Sequence, residues 1–147
     1  TWGPRHLAQF ADVDQVFAAK VKEVFPYVFW HHCGRNLPRA LELIRDMPGI
    51  KGIQYDMPYY GQDVTYPQWF EQVAKMLSGR QCAMNAPTTQ LACHGTAEEV
   101  RKMVNEFIDA TVPHTTACIM PGCEIDSFSP VENVKAMIEV SRGRPLG

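Results

Sequence analysis

Along this chain the apolar residues alternate four times between a helical spacing and a short β-rich run, and few folds accommodate that order. Phe10, Val13, Phe17, Val21 and Val24 recur every three or four positions, as one face of an amphipathic helix does, and Pro26 stands where that helix should stop. Residues 27–31 are then a compact aromatic and β-branched run closed by Gly34, which reads as a strand. Leu37, Leu41 and Ile44 mark a second helix, stopped by Pro48-Gly49, and residues 50–55 read as a second strand. Pro67 is placed to start a third helix that buries Phe70, Val73, Met76 and Leu77 and stops at Gly79; residues 80–84 follow as a weaker strand.

Two helix starts carry a sharper signature. In Thr96-Ala97-Glu98-Glu99, Thr96 and Glu99 can each satisfy the other's orphan backbone N–H, and Val100, Met103, Val104, Phe107 and Ile108 supply the buried face that follows. Ser129-Pro130-Val131-Glu132 has the same form, with Pro130 in the first helical position. Its helix presents Val134, Met137 and Ile138 and stops at Gly143, and residues 115–119 precede it as a fourth strand.

Helices between successive strands make a parallel α/β sheet covered by helices the economical architecture. Right-handed crossovers then allow an open sheet or an arc of a barrel. A complete (β/α)8 barrel has about 250 residues, so four (β/α) units in 147 residues amount to half of one. Residues 1–147 are read as a single domain of that kind; the alternative is a small doubly wound domain. The absence of a Gly-rich phosphate loop after any strand weakens a nucleotide-binding version of that alternative.

Composition narrows the function. Fourteen basic against sixteen acidic residues give a net charge of −2, which leaves no general attraction for nucleic acid or an anionic membrane. No apolar run approaches the roughly 20 residues of a membrane span, and Thr1-Trp2-Gly3-Pro4-Arg5-His6 has no form of a secretion signal. Five cysteines, an odd number, point to free thiols in a reducing compartment, with the cytoplasm as the expected location. A first residue of Thr suggests processing or a longer parent chain.

Ligands of a parallel α/β sheet gather where strands give way to loops at their carboxyl ends. The four such points here are Trp30-His31-His32-Cys33-Gly34, Tyr55-Asp56, Met84-Asn85 and Met120-Pro121-Gly122-Cys123-Glu124. Side chains alternate across a strand, so His31 and Cys33 share a face and His32 takes the other; a register slip of one would exchange His32 for His31. Cys123 lies at the same end of the sheet, on a Pro-Gly turn that permits close backbone approach. His31, Cys33 and Cys123 together would hold Zn²⁺ with a fourth tetrahedral position open, the pattern of a catalytic zinc. Two thiolates and a neutral imidazole bring the ion to about zero net charge, so a third, substrate thiolate stays deprotonated and electron-rich. That favours attack on an alkyl carbon over polarisation of a carbonyl. Outside this set, Cys82, Cys118 and Cys93 read as packing thiols, and Cys93-His94 is a rival metal pair whose neighbours would diverge on a strand.

His31-His32-Cys33-Gly34, Asn85, Gly95-Thr96-Ala97-Glu98-Glu99-Val100, Pro121-Gly122-Cys123-Glu124-Ile125 and the run from Ser129 to Met137 resemble the C-terminal half of the uroporphyrinogen decarboxylase superfamily. The His-x-Cys pair with a later Cys is similar to its cobalamin-dependent methyltransferases, among them the methylcobamide:coenzyme M enzymes and corrinoid-linked demethylases. The resemblance implies half of a TIM barrel, zinc on His31, Cys33 and Cys123, and a corrinoid (cobalamin) cofactor presented by a partner corrinoid protein. It also marks Asn85 as a cofactor-contacting residue, although Met84 stands where the family commonly has Gly. A small-molecule methyl donor or acceptor, a thiol, methoxy compound or methylamine, completes the reaction. The longer stretch from Asp56 to Pro67 has the place of a substrate lid.

Asp56 and Glu124 are the candidate catalytic carboxylates. Asp56 could orient His31, serve as acid or base, or only cap its turn; Glu124 could orient a ligand, fill the open position at rest, or be solvated. Two other functions stand beside methyl transfer: a metal-free decarboxylase, in which Cys123 has no task, and a non-enzymatic truncated half-barrel. A half-barrel alone would expose an apolar edge and is expected to form a homodimer or to need an N-terminal half.

Overall fold

The structure, a computed structural model, describes residues 4–33, 37–47, 49–57 and 63–143. The expected stops at Gly34 and Pro48, the Phe10 side chain and the middle of the expected lid lie outside the described residues. Helix α1 (Pro4–Val24) leads into strand β1 (Val28–His32), and α2 (Leu37–Ile44) connects it to β2 (Ile50–Tyr55). Helix α3 (Tyr66–Leu77) precedes β3 (Cys82–Asn85); α4 (Thr89–His94) and α5 (Ala97–Thr111) lead to β4 (Ala117–Ile119), and α6 (Val131–Gly143) follows. The strands form one parallel sheet in the order β1-β2-β3-β4. Sequence order equals spatial order, so the sheet is an arc of consecutive βα units.

Register assigns the faces. His31 pairs with Gln54, Gln54 with Met84 and Met84 with Cys118, one row across all four strands. Two residues earlier, Phe29 pairs with Gly52 and Gly52 with Cys82. A side chain at Gly52 would strike Phe29 and the sulfurs of Cys82 and Met84, so only glycine fits beneath that cluster. The alternate residues Ile53, Tyr55 and Ala83 join Phe70, Val73, Leu77, Val104 and Phe107 in the buried core. The Phe70 and Phe107 rings meet edge to face with centroids 5.1 Å apart, which locks α3 to α5.

Capping explains where two central helices begin. The Thr96–Glu99 box forms as the sequence indicates: the Thr96 N–H donates to Glu99 at 2.8 Å and the Glu99 N–H to Thr96 Oγ1 at 3.3 Å. At α3 the start is set by a second box, Thr65 with Gln68, and Pro67 only occupies the first turn behind it. The short helix α4 is absent from the sequence reading because six residues show no period; Thr88 caps it by accepting from the Leu91 N–H at 3.0 Å.

Two expectations about helix faces are corrected. On α1, Val13, Phe17 and Val24 are exposed, while Ala18 is buried and Asp14 and Val21 are half-buried. The buried stripe is thus turned by about one position, and the apolar residues flank it. Val16, Phe25, Tyr27 and Phe29 extend this exposed apolar surface to the β1 edge of the sheet. On α6 Asn133 and Ala136 are buried, Val134 and Met137 are half-buried with Met137 against the core, and only Ile138 of the expected stripe is exposed. The Ser129–Glu132 box does not form: Ser129 Oγ is buried with no partner among the described residues, and Glu132 pairs with Lys135 at 3.0 Å. Among the described residues no helix is long and apolar enough to cross a membrane.

Candidate metal centre

Strand β1 ends in His31-His32, and period-two alternation sends His31 toward the open face and His32 into the protein, where it is buried. Cys33 continues on the His31 side, and both are exposed. Cys123 arrives from the far edge. The chain leaving β4 turns back across the strand ends, with the Met120 N–H donating to Asn85 O at 3.3 Å and the Gly122 N–H to Pro87 O at 3.3 Å. Gln54 Nε2 donates to Pro121 O at 2.7 Å. Gly122 passes so close to β2 that a Cβ there would lie 3.0 Å from Tyr55 O and 3.3 Å from Asn85 Oδ1. That approach is tighter than an ordinary side-chain contact and favours glycine.

The loop brings Cys123 Sγ to 4.0 Å from Cys33 Sγ and 3.8 Å from His31 Nε2. One donor atom from each of the three residues lies within 4.8 Å of the others. A tetrahedral zinc with bonds of about 2.3 Å to sulfur and about 2.0 Å to nitrogen requires a sulfur–sulfur edge of about 3.8 Å and a sulfur–nitrogen edge of about 3.5 Å. The two observed edges exceed these by only a few tenths of an ångström. His31 Nδ1 is taken up by Gln54 Oε1 at 2.9 Å, which leaves Nε2 as the donor toward the sulfurs. The third edge, from Cys33 Sγ to His31, lies within 4.8 Å, so the residues fit the ion with a modest closure of that edge.

The electrostatics of the cluster by itself favour a protonated thiol. The Cys33 thiol is pushed up from its ordinary range, first by burial, then by the charge and hydrogen bonding of Cys123, and then by the carboxylates of Asp56 and Glu124. Anionic sulfur is opposed wherever two thiols and two carboxylates meet, and a dication at that point reverses the sign.

The other candidates fall into place around this centre. Asp56 Oδ1 accepts from the Met57 N–H at 2.8 Å, so it caps its own turn, and it is Gln54 Oε1 that accepts from His31 Nδ1. Glu124 is exposed beside Cys123. Asn85 is completely buried: its Nδ2 donates to Tyr55 O at 2.8 Å and its Oδ1 accepts from the Ala86 N–H. Asn85 thereby ties the ends of β2 and β3 beneath Gly122. Cys93 and His94 lie in the last turn of α4, and Cys82 and Cys118 are half-buried in the sheet. Gln54 was missed by sequence reasoning. Its signal is positional, two residues before Asp56 on the face that carries His31.

Fold and site together define a class: an α/β protein of consecutive parallel βα units whose strand ends present an imidazole and two thiols to one point. Within that class, the chain belongs to the uroporphyrinogen decarboxylase (URO-D) family, which it matches over residues 11–144. No curated protein sequence matches it. Among solved structures, a methyltransferase from Methanosarcina mazei superposes with a TM-score of 0.75 at 19% identity, over 97% of this chain and 38% of that one. The chain thus spans well under half the length of that protein, and the likeness establishes the fold, part of a TIM barrel.

Proposed function

We propose that the protein is a zinc-dependent methyltransferase, or the catalytic part of one, moving a methyl group between a corrinoid on a partner protein and a small thiol, methoxy or methylamine substrate. The observation that carries this reading is the meeting of His31 Nε2, Cys33 Sγ and Cys123 Sγ at spacings suited to one tetrahedral ion. The solved structure with the same fold is a methyltransferase, which supports it further.

When bound, zinc supplies a centre of near-zero net charge on which a substrate sulfur stays deprotonated and nucleophilic at neutral pH, or a Lewis acid for a leaving group in the reverse direction. The chain's residues prepare that centre. Cys33 and Cys123 would hold the ion through their sulfurs and His31 through Nε2, because Nδ1 is engaged by Gln54 Oε1. Asp56 adds negative charge beside Cys33, which would keep a bound sulfur electron-rich. Glu124, exposed at the rim, is assigned the uptake of the proton released by an incoming thiol. Free thiols at all five cysteines suit a reducing cytoplasm. A metal-free decarboxylase leaves the dithiol–imidazole cluster without a task.

Metal analysis of the purified protein, with Cys33→Ser and Cys123→Ser, tests the reading together with methyl transfer from methylcobalamin to a thiol. One zinc per chain, lost in each variant along with transfer, is the expected result. A metal-free parent, or activity indifferent to chelators, defeats it.

A further inference from the structure

We propose that Gln54 is the positioning residue that assembles this centre, fixing the His31 tautomer and joining the β1 ligands to the loop that carries Cys123. The inference rests on the metal-site reading and is independent of which group is transferred. Gln54 lies directly across from His31 in the β1–β2 register, on the same face of the sheet. Its side-chain amide has two ends in use: Nε2 donates to Pro121 O at 2.7 Å, and Oε1 lies 2.9 Å from His31 Nδ1.

The orientation of this amide is forced. A peptide carbonyl only accepts, so the Gln54 NH₂ must face Pro121, and its oxygen must then face His31. An oxygen acceptor requires a proton on His31 Nδ1. The neutral ring therefore keeps its lone pair on Nε2, the atom 3.8 Å from Cys123 Sγ. Free neutral imidazole has no such constraint and would meet a metal with the wrong nitrogen protonated for part of the time. The second bond acts on the other ligand segment: Pro121 is two residues from Cys123, so one side chain sets both the nitrogen that faces the ion and the reach of the distant sulfur. Partners of this kind are worth about 10–100-fold in metal affinity.

The test uses the intact protein and two variants, with folding monitored by circular dichroism. Long-range proton–nitrogen NMR of the metal-free protein should show His31 protonated on Nδ1, the same tautomer in Gln54→Glu, which keeps the acceptor, and a tautomer mixture in Gln54→Leu. Zinc affinity by chelator competition should fall about 10–100-fold in Gln54→Leu. An unchanged tautomer in Gln54→Leu, or zinc affinity equal to the parent in that folded variant, overturns the proposal. A parent that binds no zinc defeats the metal-site reading instead, while the tautomer measurement still decides the role of Gln54.

Discussion

Cys33 Sγ and Cys123 Sγ, 90 positions apart in sequence, lie 4.0 Å apart, although they follow strands at opposite edges of the sheet. Three inter-strand spacings would separate those edges by roughly 14 Å in a flat sheet. The loop after β4 closes this gap by returning over the ends of β3 and β2, held by Asn85 O, Pro87 O and Gln54.

Zinc uptake should depend steeply on pH. The ligand form of Cys33 is the thiolate, and its surroundings push that thiol upward, so each ion bound displaces a proton and affinity falls as pH falls. Chelator competition at several pH values around neutrality checks this. An affinity independent of pH argues against Cys33 as a ligand.

Gly122→Ala should disturb the centre more than the fold. The added methyl would sit 3.0 Å from Tyr55 O and 3.3 Å from Asn85 Oδ1, both held in the sheet, so the loop must move and take Cys123 with it. We expect a destabilisation of about 1–3 kcal/mol, measured by denaturant unfolding, with zinc affinity reduced about tenfold or more.

Asn133→Leu should lower stability by about 1–3 kcal/mol for each carbonyl stranded. Asn133 is buried, and its Nδ2 donates to Ala92 O at 2.9 Å and Gly95 O at 2.8 Å, pinning α6 to the turn between α4 and α5. Urea unfolding of the variant measures the loss, and the metal content of the folded protein should be unchanged because the site lies on other segments.

The α5 cap should contribute to acid sensitivity. Hydrogen bonds from the Thr96 backbone, then from its hydroxyl, hold the Glu99 carboxyl below its usual value. A folded pKa below the unfolded one stabilises the fold above the unfolded value, and that contribution disappears as pH falls through the folded one. Thermal melting from pH 6 to pH 3 should therefore show a smaller fall in Tm for Glu99→Gln than for the parent; equal slopes would contradict the cap's role.

The sequence showed much of the fold because local signals agreed with it. Pro26 and Gly79 just past the ends of α1 and α3, the Thr96–Glu99 box and four short strands were all readable. The failures were local signals outcompeted by packing. Ser129-Pro130-Val131-Glu132 has a capping pattern, but Glu132 turns to Lys135, and Asn133 makes the buried attachment of α6. The hydrophobic spacing of α1 was correct as a helix and misplaced as a buried face, because α1 packs chiefly against α2 and turns Ala18 and Val21 inward.

At the site, the chain's own order determined which residue types stand at the strand ends and, through period two, that His31 and Cys33 share a face while His32 turns inward. Only the tertiary structure decided that Cys123 reaches them, that Gln54 rather than Asp56 orients His31, and that Asn85 is buried. Those outcomes depend on strand register and on the path of a loop across three neighbouring strands. Both are set by long-range hydrogen bonds and steric contacts that leave no periodic trace in a single sequence.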